Sequence, residues 1–147
     1  MGDWKENLLE DDARIGALVR SLRRVAVLGV KTEAQADQAA FYVAEYVASH
    51  GGEVVPVPVY YPEVTTILGR PVYRKVADVP GELDLVDVFR KASDIPGHIE
   101  DLLAKRPRAV WFQLGIRNDA AAEALARAGI QVVQDRCLKV EWARFRR

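Results

Sequence analysis

The run Arg24-Val25-Ala26-Val27-Leu28-Gly29-Val30 constrains the fold of this chain more than any other. Five apolar residues without alternation read as a short strand buried on both faces, over 25–30. The strand ends on a glycine and opens into Lys31-Thr32-Glu33, where a helix over 33–50 is expected to begin. A strand that passes through glycine into a helix N-terminus is a common phosphate site of α/β proteins. Glycine lets the backbone approach the ligand, and the helix end offers unpaired N–H groups with partial positive charge.

The rest of the chain repeats the strand–helix alternation. Asp3 and Glu6 have capping-box spacing, and Leu8, Leu9, Ile15, Leu18, Val19 and Leu22 fall roughly on one helical face. They predict a leading helix over 4–22. After the helix over 33–50, closed by His50-Gly51-Gly52, strand two is expected over 53–58 and ended by its prolines. Residues 60–80 show no long apolar period and predict a loop with short helical or extended pieces. Strands over 83–89, 109–114 and 130–133 alternate with helices over 95–105 and 119–128, and the tail from Lys139 predicts a short helix or ordered extension. The pattern specifies an α/β fold: a Rossmann-like three-layer arrangement with a mainly parallel sheet of about five strands. One domain is expected over 1–147, with a leading helix to 23, a core over 24–137 and an extension over 138–147.

Charge and composition remove several function classes. The chain has 147 residues, with 21 acidic and 21 basic side chains. A neutral balance is wrong for bulk binding to nucleic acid or a membrane surface, both of which need a basic field. No stretch of about 18 apolar residues is present, so no membrane span is expected. One cysteine, Cys137, allows no internal disulfide and suits a reducing cytoplasm. Two histidines and one cysteine make a His/Cys metal site a poor expectation.

The glycine spacing narrows the ligand. A dinucleotide fold carries Gly-x-Gly-x-x-Gly after strand one and an acid near the end of strand two. Here the six positions read Gly29, Val30, Lys31, Thr32, Glu33 and Ala34, with the first glycine alone, and strand two runs out as Val57-Pro58-Val59-Tyr60 without an acid. NAD is therefore disfavoured, and the absence of a Walker pattern disfavours ordinary ATP or GTP hydrolysis.

Four further segments, Ile67-Leu68-Gly69-Arg70-Pro71-Val72-Tyr73, Asp84-Leu85-Val86-Asp87-Val88-Phe89-Arg90, Val110-Trp111-Phe112-Gln113-Leu114-Gly115 and Asp135-Arg136-Cys137, occur in order. With them the chain resembles, from about Arg24 to Cys137, the small CoA-binding family whose fold matches the N-terminal nucleotide-binding domain of succinyl-CoA synthetase alpha subunits. The resemblance implies a coenzyme A or acyl-CoA cleft along the carboxyl ends of the strands. Its walls would be Gly29, Val30 and Lys31, the turn from Pro56 and Val57 to Tyr60, then Val88, Phe89 and Arg90, then Gln113 to Gly115. The chain departs from the family pattern where Asn-Pro-Lys/Arg commonly ends strand two and Pro58-Val59-Tyr60 stands instead, and where the family's serine falls near Ala40. Lys31, Thr32 or Arg90 would then replace the lost phosphate contacts.

The same residues have structural readings. Gly29 can serve strand–helix packing, Lys31 can be a solvated lysine, and Arg90 can pair with a nearby acid. Trp111 reads as core, and Tyr42, Tyr60 and Tyr61 read as half-buried residues able to stack on adenine. Cys137 lacks a histidine neighbour and reads as a structural thiol; His50 and His98 read as surface residues. Valine at 29 is expected to weaken ligand binding and leave the fold largely intact. The expected function is a non-catalytic carrier, sensor or partner subunit that binds coenzyme A, with no protein partner indicated. The alternative is an enzyme or subunit acting on a CoA thioester or another nucleotide, for which Glu33, Asp87 and Asp119 are the carboxylates in reach of a cleft mouth.

Overall fold

The structure is a computed structural model, which describes residues 3–146; the outermost ends of the leading segment and of the tail, 1–2 and 147, lie outside the described residues. Five strands form one parallel sheet: β1 (Arg24–Leu28), β2 (Glu53–Val57), β5 (Leu85–Val88), β6 (Ala109–Phe112) and β7 (Gln131–Val133), in the order β2-β1-β5-β6-β7. A small antiparallel hairpin, β3 (Thr66–Ile67) and β4 (Arg70–Pro71), lies beside β2. Helices α1 (Asp12–Ser21), α2 (Ala39–Ser49), α3 (Ile99–Lys105), α4 (Asp119–Arg127) and α5 (Leu138–Phe145) complete the element list, with short 3-10 turns between.

The non-alternating strands serve two cores. Val25, Val27, Leu85, Trp111 and Val133 face α1, α2 and α5, while Ala26, Leu28, Val86, Phe112 and Val132 face α3 and α4. Every strand of the sheet is therefore apolar on both sides, as the sequence required. From β1 the chain crosses through α2 to β2 on one side, and it later returns to β5 on the other side of β1. The order reverses between β1 and β5. The loop after β1 runs toward α2 on one face, and the loop after β5 runs toward α3 on the opposite face. A crevice at the carboxyl ends of these two strands is the geometric consequence.

Gly29 sits at the bottom of that crevice. Its φ is +86°, and a β-carbon there would lie 2.4 Å from the Phe89 carbonyl oxygen and 3.2 Å from Cδ of Arg90. Its N–H donates to the Val57 carbonyl at 2.9 Å. The expectation that valine at 29 leaves the fold intact is thus overturned: the position has neither the room nor the backbone conformation for a side chain.

The leading helix and the second helix differ from the sequence reading. The leading helix is broken. Trp4–Asn7 form a 3-10 turn, and Leu8 and Leu9 then run extended beside β7, with the Leu9 N–H on the Val132 carbonyl at 2.8 Å. Helix α1 starts only after Asp11, whose carboxylate accepts from the Arg14 N–H at 3.0 Å. Burial of Leu9, and in part of Leu8, against the sheet edge and a strong N-cap outweigh helical continuity. The second helix begins at Ala39, not Glu33. Thr32 and Gln35 form a true capping box, but around a three-residue 3-10 turn, Glu33–Gln35. The tail forms the expected short helix and is part of the core: Trp142 of α5 is buried against α1 and α2, and its indole N–H donates to the His50 carbonyl at 3.0 Å. Pro56 lies inside β2, where the edge position spares it an N–H partner, and the strand ends ahead of Pro58.

Replacing Gly29 by alanine should therefore lower stability by at least about 2 kcal/mol through strain and overpacking, a Tm decrease of roughly 4–8 °C for a domain of this size. Gly69 is the control. Its φ is also positive, +71°, but nothing lies within 4 Å of a β-carbon there, so Gly69→Ala should cost only about 1–2 kcal/mol. Equal Tm decreases in the two variants would contradict the tight β1–β5 contact.

Candidate functional site

A cleft of about 540 Å³ opens at the carboxyl ends of β1, β5 and β6, lined by Lys31, Gln38, Ala39, Ala40, Phe89, Arg90, Lys91, Ala92, Gly115 and Ile116. It is called the α2 cleft below. Each wall has a local cause. The Lys31 N–H donates to the Ala40 carbonyl at 3.0 Å, which draws the loop after β1 onto the first turn of α2. Gln38 is the N-cap of α2 but makes no side-chain cap bond; its amide oxygen instead accepts from Lys31 Nζ. The amides of Ala39 and Ala40 begin the helix, where no intrahelical carbonyl reaches them. With the helix dipole they give this wall a positive potential. Gly115, at φ +85°, turns the chain out of β6, and its N–H donates to Asp135 Oδ1 at 2.7 Å.

Of the residues expected from sequence, Lys31, Phe89, Arg90 and Gly115 line the α2 cleft together. Gly29 lies beneath it. Val30, Pro56, Val57, Val88 and Gln113 are buried, so their side chains present no surface there; the carbonyls of Pro56, Val57 and Val88 are taken by Tyr73, Gly29 and Gln113 N–H groups. Thr32 serves the 3-10 turn, its hydroxyl oxygen accepting from the Ala34 N–H at 3.3 Å. Tyr60 is separate: with Val59, Tyr61, Pro62 and Arg74 it lines a neighbouring cleft of about 600 Å³, the tyrosine cleft. A third, the α3 cleft of about 570 Å³, is lined by residues including Leu28, Val59, Arg74, Lys75, His98 and Asp101.

Arg90 stands among these three. Its Nε donates to His98 Nε2 at 3.2 Å, Nη2 to Asp94 at 3.4 Å and Nη1 to the Tyr60 hydroxyl at 3.4 Å. Burial, and then the charge of Arg90, hold His98 below the usual histidine range, so its ring is neutral near pH 7 and free to accept. His98 is thus half-buried and engaged, not the free surface residue expected, and no local pattern in the sequence marks it. The start of α2 was also missed, although the Thr32–Gln35 capping box was a signal that one helix ends before another begins.

Asp87 is the second surprise. It lies in β5 opposite Val27 and Trp111, with 0 % exposure. Gln113 Nε2 donates to its Oδ1 at 2.7 Å, and Oδ2 has no hydrogen-bond partner among the described residues. Burial pushes its carboxyl up to about 8, partly offset by the Gln113 bond. The three carboxylates considered for chemistry are dispersed. Asp87 is buried in the central strand, Glu33 accepts from the Leu68 N–H at 2.8 Å, and Asp119 holds Gln134 and Arg117.

The model of the CoA binding domain family matches residues 23–143. The chain belongs to this CoA-binding domain family. Its relatives include the protein YneT of Bacillus subtilis (strain 168), 29% identical over 131 residues that cover 89% of this chain and 93% of YneT. A solved structure from Thermus thermophilus is 35% identical, covers 92% of this chain and 99% of its own, and superposes with a TM-score of 0.83. A protein from Pyrococcus horikoshii OT3 is 29% identical over 92% of both chains, with a TM-score of 0.81. A dinucleotide-forming acetyl-coenzyme A synthetase of Ca. Korarchaeum cryptofilum, solved with phosphate and ADP, shares the fold over 80% of this chain and 27% of its own, at 18% identity and a TM-score of 0.64. No helix among the described residues is long and apolar enough to cross a membrane.

The raised Asp87 carboxyl makes stability pH-dependent in a stated direction. The unfolded chain releases this proton near 3.8 and the folded chain near 8. Between these values the folded state binds one more proton, so stability falls as pH rises, by at most about 1.4 kcal/mol per pH unit from this group, and levels off above it. Asp87→Asn keeps an acceptor for Gln113 and cannot ionise. Denaturant unfolding between pH 5 and 9 should show a decline in the wild type that is markedly reduced in the variant. Parallel profiles would contradict a neutral buried carboxyl.

Proposed function

We propose that this protein binds coenzyme A or an acyl-CoA in the α2 cleft, as a non-catalytic carrier, sensor or partner subunit. The observation that carries the reading is the uncapped start of α2 at the β1–β5 strand reversal, facing Lys31 and Arg90, in a chain of the CoA-binding domain family. The amides of Ala39 and Ala40 and the two cations suit a pyrophosphate, which gains from the helix N-terminus and from charge-assisted bonds. Lys31 and Arg90 also answer the loss of a cation after strand two, since both approach the cleft from other loops. Phe89, Ile116 and the exposed Leu114 supply apolar surface for a pantetheine arm.

A role without chemistry is supported by the dispersal of Glu33, Asp87 and Asp119. None of the three lines the α2 cleft. Cys137 is half-buried at the start of α5, which favours a packing role. A cytoplasmic location rests on this lone free thiol.

Thermal unfolding with coenzyme A, dephospho-CoA, acetyl-CoA, NAD and ATP at equal concentration tests the reading. A ligand that binds only the folded state stabilises it by about 2.7 kcal/mol at 100 times its Kd. Coenzyme A or acetyl-CoA should give the largest Tm increase. Stabilisation by NAD or ATP with none by coenzyme A or acetyl-CoA would refute it.

A further inference from the structure

The three clefts at the carboxyl edge of the sheet meet at one side chain. Arg90 lines the α2 cleft, His98 the α3 cleft and Tyr60 the tyrosine cleft. The Arg90–His98 contact is therefore the wall between the first two, and the Arg90–Tyr60 contact the wall between the first and the third. The tyrosine and α3 clefts are neighbours that share two lining residues, Val59 and Arg74. A ligand with a pyrophosphate at the start of α2 and an arm on each side of it meets this barrier.

The barrier is built from weak contacts. Its three hydrogen bonds measure 3.2, 3.4 and 3.4 Å, at or beyond the long end of the ordinary range. Two of the three partners, a neutral imidazole and a phenol, carry no charge to compete with a phosphate, and Asp94 is well exposed and screened. The guanidinium also stands 5.5 Å from the centre of the Tyr60 ring, which is 63 % exposed. The backbone around Tyr60 is by contrast held firmly. Arg74 donates to the carbonyls of Tyr60, Tyr61, Pro62 and Val64. The ring can swing while the loop stays in place.

We propose that Arg90 is a latch across the ligand groove: an anionic ligand draws its guanidinium off Tyr60 and His98, joins the α2 cleft to the two clefts beyond, and frees the Tyr60 ring to stack on the nucleobase. The inference rests on the reading of the α2 cleft as a coenzyme A site. A phosphate oxyanion pairs with guanidinium through two parallel N–H bonds, which neither His98 nor Tyr60 offers. Arg90 is held at the right place for the exchange because its Cδ packs over Gly29.

Association and dissociation rates for coenzyme A, measured by surface plasmon resonance, test the latch with two variants. Tyr60→Phe keeps the ring and removes the hydroxyl that Arg90 holds. It should raise the association rate and affinity by about two- to tenfold, the worth of one hydrogen bond. Tyr60→Ala should associate at least as fast but dissociate about tenfold faster, having lost the stacking ring. Coenzyme A bound normally by the wild type, with Tyr60→Phe unchanged or weaker, would overturn the latch alone. Failure of the wild type to bind coenzyme A would overturn the reading beneath it as well.

Discussion

The approach of the Gly29 backbone to the Phe89 carbonyl is the contact on which the carboxyl end of the sheet depends. It brings the loops after β1 and β5 together at the one place where they leave the sheet toward opposite faces. Only glycine permits it, because the position combines a left-handed φ with a carbonyl where a side chain would begin. From that contact the other features follow in order. Lys31 turns onto the start of α2, Arg90 extends over Gly29, and the space between becomes the α2 cleft. The glycine reads in the sequence as a place for a ligand; in the fold it is first the joint that shapes the site.

Much of the architecture was legible because it rests on local pattern. Val25 to Leu28, Leu85 to Val88 and Ala109 to Phe112 are apolar without alternation, and a strand buried on both faces by helices needs that composition. What failed to read depended on competition between local signals or on distance. Leu8 and Leu9 fit the apolar face of a helix, but they gain more as an extended rung beside β7, which the sequence does not place next to them. Thr32 and Gln35 mark a helical start, and they do cap one, but the turn they cap lasts three residues. The late start of α2 puts the amides of Ala39 and Ala40, not those of Glu33 and Ala34, at the cleft proposed to hold the ligand.

The candidate site was legible at Lys31, Phe89, Arg90 and Gly115 through family likeness and strand ends. Gln113 and Asp87 were each singled out, but not the bond between them, which spans 26 residues and joins adjacent strands inside the core. Strand register makes that pair, and register is not written in either segment alone. The same holds for Arg90 and His98, which meet because the 3-10 turn Ala92–His98 folds back over the end of β5. A carboxyl buried without a partner for one oxygen costs stability, and neutrality is the cheaper state for it.

If the β1–β5 reversal organises ligand binding, backbone amide NMR during a coenzyme A titration will map the ligand onto it. The largest shift changes are expected at Val30 and Lys31, at Ala39 and Ala40, from Phe89 to Ala92, and at Gly115, with smaller changes reaching Tyr60 and His98. Changes concentrated at the amino-terminal edge of the sheet, around Arg14, Ser21 and Arg108, with the β1–β5 loops undisturbed, would contradict it.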